Sequence, residues 1–199
     1  MAYHYRWLMG GLSILGAALS LAFTQGVQSN DINSRRYVEI EVNGGATIVP
    51  FLGDEDRREV FSLGLQYAKP ERAFKWRGKT SELVQEGYYQ HSTSRGASGE
   101  PANKSEAWGY LAMARYNWIN HNGFGWYADI GIGLQYVNRR SVDLPSRLNS
   151  TPVLDLGLII PAGRNSVTVG ARFLHISNAH TVGNNQGQNE LLFDVGLRF

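Results

Sequence analysis

His175 and Ser177 lie two residues apart in the segment Phe-Leu-His-Ile-Ser-Asn-Ala-His, residues 173–180. In an extended strand alternate side chains leave the same face, so this spacing sets an imidazole beside a hydroxyl. That is the minimum apparatus for a base-activated nucleophile, in which a ring nitrogen takes the hydroxyl proton as the oxygen attacks. Many strands contain His-x-Ser without any chemistry, so the pair has to be judged by where the chain puts it. Close by are Asn178, Asn185, Gly187, Asn189 and Glu190. Amides and a carboxylate in such positions can orient a ring or stabilise an oxyanion. Asn185 and Gly187 are equally the residues of an ordinary turn. His180 reads as a solvated loop residue, and His4, His91 and His121 show no metal-ligand spacing. The chain has no Cys, which excludes disulfides, thiolate catalysis and thiolate metal sites. No metal or other cofactor is expected, and no Gly-rich run opens a helix to hold a nucleotide.

The elements that must carry these residues read as strands. With 199 residues the chain suits one domain, and its 23 Gly, 5 Trp, 10 Tyr and 8 Phe against 18% charged residues favour strands, turns and membrane interfaces. The formal charge of +2 is mild and the basic residues are scattered, which argues against nucleic acid as a partner. From residue 37 onward, apolar and polar residues alternate in successive segments. Residues 37–42, with an extension through 46–52, form the first, and residues 59–68 the second, with Phe61, Leu63, Leu65 and Tyr67 on one face. Lys69 to Arg72 is expected to turn into a third strand within 73–91, whose register the pattern does not settle, and residues 92–105 read as a polar loop. The fourth and fifth segments, 107–119 and 124–138, put Trp108 to Trp118 and Phe124 to Tyr136 on one face, with Arg115, Tyr127 and Asp129 on the other. Trp108 and Trp118 are roughly 33 Å apart along an extended strand, about the height of a membrane barrel's apolar band once tilted. Segments 153–160, 166–178 and 189–199 complete eight strands.

One face of nearly every segment is apolar, and the other carries Gly and charges of both signs: Glu39, Glu41, Arg115, Asp129, Asp155, Arg172, Asp194 and Arg198. A soluble barrel would turn the apolar face inward, so this polarity is inverted and the apolar face is expected to meet lipid. The fold class is therefore all-β, an eight-stranded antiparallel outer-membrane β-barrel with a filled polar interior and no channel. Short links after the second, fourth and sixth strands alternate with long ones, which places the His175 end at the outer surface. At the N-terminus, Arg6, the apolar run 7–23 and the small or polar residues 24–29 read as a cleavable export signal over 1–29 ahead of one barrel domain, 36–199. An uncleaved anchor is the other reading of that run, and no Ala-x-Ala marks a cleavage site. Parity then sets His175 and Ser177 in line with Val167, Val169, Ala171 and Phe173, on the lipid-facing side, where a polar pair without a use is costly. The plain alternative is that the strand has already emerged into the headgroup layer, where the two residues are merely wet.

His175-Ile-Ser-Asn-Ala179, followed by Asn185-Gln-Gly187-Gln-Asn189 and a strand ending in Phe199, resembles the signature of the PagL-type lipid A deacylase family, also described as acyloxyacyl hydrolases. The resemblance covers about the last hundred residues by motif and the first half by architecture. It implies an outer-membrane barrel that hydrolyses the acyl ester at the 3-position of lipid A, with a serine nucleophile (Ser177) and a histidine base (His175) on the membrane-facing surface. It implies lipid A or lipopolysaccharide and outer-membrane lipid as partners, with a homodimer as a further expectation. In the family's best-known members a Glu stands two residues after the Gly of Asn-x-Gly, where this chain has Asn189, and Glu190 comes one later. Parity favours Asn189 as the group that orients His175, as an amide does in Cys-His-Asn proteases. Glu190 is the alternative, if a bulge at the strand start turns it outward. Asn178, Asn185 and Gly187 are candidates for oxyanion or substrate contacts. A non-enzymatic structural or adhesive barrel with a vestigial site is the competing reading of the whole chain.

Overall fold

The computed structural model describes residues 36–48, 56–76, 79–96, 101–183 and 186–199; the export-signal segment 1–29 and Asn185 lie outside the described residues. The strands are β1 (Tyr37–Thr47), β2 (Arg58–Trp76), β3 (Lys79–Ser94), β4 (Lys104–Ile119), β5 (Gly125–Val137), β6 (Leu148–Ser150), β7 (Val153–Ala162), β8 (Asn165–Ile176) and β9 (Gln188–Arg198). All pair antiparallel with neighbours, and β1 pairs with β9, so the sheet closes on itself. β6 and β7 are one stave. Pro152 has no N–H to give the ladder, so the assignment breaks there. The register does not slip, since Gly131 faces Val153 and Leu134 faces Ser150, and Gly133 and Thr151 exchange both backbone hydrogen bonds across the gap. Nine segments thus make the eight-stranded barrel that the alternation implies.

The alternation sorts cleanly between two environments. Leu65, Ile132, Leu156 and Phe193 point outward, Phe193 being 65% exposed, while Glu39, Asp129, Asp155 and Asp194 point inward and are buried. A closed barrel has no unpaired edge, so this apolar outer surface can lie in hydrocarbon without stranding backbone groups. Trp118 and Trp126, directly opposite each other on β4 and β5, stack at 3.8 Å near the short-turn end; Tyr89 and Trp108 meet at 5.8 Å nearer the other. These are the two aromatic belts that anchor a barrel at its interfaces.

Side chains fill the interior. Arg115 holds Asp129 through two bonds of 2.8 and 2.7 Å and Glu39 at 3.0 Å, and Arg172 holds Glu41, Glu86 and Asp155 at 2.8, 3.0 and 3.1 Å. Buried charge is tolerable only when paired in this way. Tyr127 lies across Gly157 and Gly170; a Cβ at either position would fall within 2.6 Å of the ring or its hydroxyl, so these glycines make the space the large inward side chain occupies.

Three expectations are corrected. β2 does not turn at Lys69 to Arg72 but runs on to Trp76. Pro70 is accommodated because β1 stops pairing at Ala68, so beyond that point β2 has a ladder partner only in β3 among the described residues. Ser92, Ser94 and Ser105 belong to strands and are buried, leaving a shorter loop than 92–105. The stave read as starting at 153 starts at Leu148. The third strand's register is set as well: Glu82, Val84, Glu86, Tyr88 and Gln90 face inward, and Gln85, Tyr89 and His91 face outward.

Candidate active site

β8 and β9 pair without a register shift from Ser166 opposite Arg198 to Ile176 opposite Gln188, which sets His175 directly across from Asn189. On the outward face of that pair, His175 Nδ1 lies 2.7 Å from Asn189 Oδ1. An amide oxygen accepts only, so this contact requires the proton on Nδ1; in the neutral ring the lone pair is then on Nε2. Asn189 is itself fixed by strand pairing, its carbonyl accepting the Ile48 N–H at 2.8 Å. One residue further, Glu190 faces inward opposite Leu174, and Gln90 Nε2 donates to its Oε1 at 2.9 Å. No bulge turns it outward, and the carboxylate lies on the other side of the sheet from the imidazole.

Ser177 continues the face of His175 beyond the end of β8. Its backbone pairs with Ser150, each N–H donating to the other's carbonyl at 3.0 and 2.7 Å. The Ser150 hydroxyl donates to Ser177 O at 3.0 Å, and the two hydroxyl oxygens are 3.5 Å apart. Each member of the His175–Ser177 pair is therefore held by a neighbouring strand rather than by the other. Hydrogen bonds between base and nucleophile commonly tighten only when substrate is bound. Pro152 contributes too, its carbonyl taking the His175 N–H at 3.0 Å.

The connection from Ser177 to β9 is shaped by Asn178 and Gly187. The Asn178 carbonyl accepts from Thr181 N and Oγ1 at 3.0 and 2.7 Å, and its amide donates to Val182 O at 2.7 Å. This turn carries Ala179 and His180 at φ of 51° and 59°, a left-handed conformation that non-glycine residues adopt at a cost. His180 is exposed there. Gly187, at φ 77°, passes against the imidazole: a Cβ would sit 3.0 Å from His175 Cε1. Its N–H donates to Asp143 O at 3.1 Å, and Gln188 Nε2 donates to Ser141 Oγ at 3.3 Å, which ties the approach to β9 to the loop between β5 and β6. Asp143 in turn accepts the Asp56 N–H at 2.8 Å, and Asp56 holds Arg58 and Ser94, so the outer end of the barrel is closed by a buried polar seam.

Of the residues singled out from sequence, the structure thus brings together His175, Ser177, Asn189 and Gly187. It gives Asn178 to the turn and Glu190 to the interior. Ser150 was not singled out, because it lay in a stretch read as loop; the outward parity of Leu148 and the inward parity of Asn149 were the available signal. The one cluster of carboxylates with metal-like spacing among the described residues, Glu41, Asp155 and Asp194, lies inside the barrel, where Arg172 already bonds two of its members.

A closed antiparallel barrel with an apolar outer surface and aromatic belts is an outer-membrane β-barrel protein. The family model described as Lipid A 3-O-deacylase (PagL) matches residues 61–198, and the chain belongs to this family. Among solved structures, that of "the outer membrane enzyme PagL" is similar at 19% identity and a TM-score of 0.56, covering 79% of this chain and 97% of that one. Neisserial surface protein A is similar at 17% identity and a TM-score of 0.55, covering 82% of this chain and 95% of that one. Both likenesses are of fold. No curated protein matches the chain significantly.

Proposed function

We propose that this barrel is a carboxylic ester hydrolase that removes the acyl chain linked to the 3-position of lipid A, with Ser177 as nucleophile, His175 as base and Asn189 as the group that orients the base. The observation that carries this reading is the 2.7 Å bond between His175 Nδ1 and Asn189 Oδ1 on the outward face of β8 and β9, two residues from Ser177. A ring held by Nδ1 presents Nε2 for proton transfer. Ser177 Oγ attacks the ester carbonyl carbon and its proton passes to His175 Nε2. The tetrahedral adduct then collapses, and the sugar oxygen leaves with that proton. Water, deprotonated by the same ring, releases the fatty acid and restores Ser177. The position of the site suits its substrate: an acyl ester of an outer-leaflet lipid lies at the level where β8 leaves the apolar band, so the lipid can meet the site without leaving the membrane.

The test is to incubate the purified barrel with lipopolysaccharide and weigh the lipid A by mass spectrometry. Loss of one acyl chain by the wild type, and none by Ser177→Ala, is expected. Unchanged lipid A with a folded wild-type barrel would leave the non-enzymatic reading.

A further inference from the structure

We propose that Ser150 is a further catalytic residue, whose hydroxyl donates a hydrogen bond to the oxyanion formed when Ser177 attacks; the inference rests on Ser177 being the nucleophile. Leu148 is 57% exposed and Asn149 is buried, so alternation along β6 turns Ser150 to the lipid-facing side, the side of its partner Leu134 on β5. It stands across the sheet from Ser177, with 3.5 Å between their hydroxyl oxygens. The oxyanion is bonded to the carbon under attack, one atom beyond Ser177 Oγ, and its donors should lie about 2.7–3.1 Å from it. A hydroxyl 3.5 Å from the attacking oxygen is within reach of that position.

The hydroxyl is also free to change partner. It now donates to Ser177 O at 3.0 Å, but that carbonyl already accepts the Ser150 N–H at 2.7 Å. Rotation of the Ser150 side chain toward the oxyanion therefore leaves the carbonyl paired, avoiding the penalty of an unsatisfied buried acceptor. Of the donors nearby, the Gly187 N–H is engaged with Asp143 O, and the Asn178 amide spends one of its two N–H bonds on Val182 O. On β5 and along its own strand the outward neighbours of Ser150 are Leu134 and Leu148, and its polar neighbour is Ser177; a polar group on this face is a cost unless it is used.

As Ser177 Oγ bonds to the carbonyl carbon, the carbonyl π pair moves onto oxygen, and Ser150 O–H donates to it without losing its proton. Collapse returns the pair and releases the sugar oxygen, protonated from His175. The test compares Ser150→Thr with Ser150→Val, near-isosteric residues that differ in the hydroxyl and both suit a strand. With lipopolysaccharide as substrate, the Val variant should show a kcat about 30- to 300-fold below the Thr variant, with KM changed less than about threefold. Phosphonylation of Ser177 by an alkyl fluorophosphonate, whose phosphoryl oxygen occupies the oxyanion position, should slow in the Val variant by a similar factor. Equal kcat and equal labelling in the two folded variants would overturn the assignment. If instead Ser177→Ala turned over lipid normally and the phosphonate labelled another residue, the underlying reading of the nucleophile would be what failed.

Discussion

Arg172 and His175 are three residues apart on β8 and leave it on opposite faces. Arg172 points into the barrel, where it is 2% exposed and touches Glu41, Glu86 and Asp155; His175 points to the lipid side and its ring is held by Asn189. Inside, a full charge meets opposite charges on several strands, so the group is locked and any proton movement would break a pairing the fold needs. Outside, the contacts are hydrogen bonds between side chains without a paired carboxylate: His175 Nδ1 meets Asn189 Oδ1, and the Ser177 hydroxyl lies 3.5 Å from that of Ser150. The same one-residue parity that sorts lipid from core thus also sorts the paired charges from the polar residues proposed to react. Dense charge pairing serves stability, and a reaction needs a hydrogen bond still to be made.

The comparison breaks most sharply at Ser177. Ser177→Ala and His175→Ala should each reduce deacylation about a thousandfold or more, and the double variant should be little worse because the pair acts as a unit; lipid A product measured over time checks this. Heat-modified migration and unfolding midpoint should stay those of the wild type. Arg172→Met should do the reverse. It leaves Glu41, Glu86 and Asp155 without their shared cation, at a cost of about 3–5 kcal/mol of barrel stability. Denaturant unfolding in lipid vesicles measures this, and a midpoint equal to wild type would show that the interior network is not what holds the barrel.

The outer surface gives a third, smaller effect. Leu156 is 62% exposed between the belts, so Leu156→Arg should cost roughly 2–4 kcal/mol of folding free energy in lipid, whereas His121→Arg in the exposed turn between β4 and β5 should cost nothing measurable. Equal tolerance at the two positions would remove the lipid from this face.

Particular residues show how far the sequence reached. From Trp126 to Tyr136 on β5 the inward residues are Tyr, Asp, Gly and Gln, and from Leu154 to Ile160 on β7 only Ile159 breaks the contrast of apolar outside with Gly or Asp inside, so strand and face were both legible there. β3 resisted because Gln85 and His91 face outward while Val84 and Tyr88 face inward, which dissolves the contrast that parity needs. Its orientation comes from pairing with β2 and β4, which is tertiary information. Pro70 read as a turn because a missing N–H usually ends a ladder, and the strand end that makes it harmless among the described residues, Tyr37 opposite Ala68, is remote in sequence. Similarly, Pro152 hid Ser150 by interrupting the alternation. His175 and Ser177 were legible because they share one strand. The Ser150–Ser177 pairing joins two strands across a proline, and no local spacing reports it.

The smallest effect sharpens the comparison across a single peptide bond. Asn189 faces His175 and Glu190 faces Gln90, so the two neighbours sit on the outward and the inward side of the sheet. Asn189→Ala frees the ring to rotate or take the other tautomer, and activity should fall about ten- to a hundredfold, some 1.4–2.7 kcal/mol of barrier, with the barrel folded. Asn189→Asp keeps the acceptor at nearly the same place and adds a charge that stabilises the imidazolium formed during attack, so activity should be kept or raised. Glu190→Gln should change turnover less than about threefold, since its carboxylate has no path to the ring through the sheet. The reverse pattern, Glu190→Gln inactive and Asn189→Ala active with both folded, would mean that β9 shifts register when lipid binds, because only a one-residue slip exchanges the two faces.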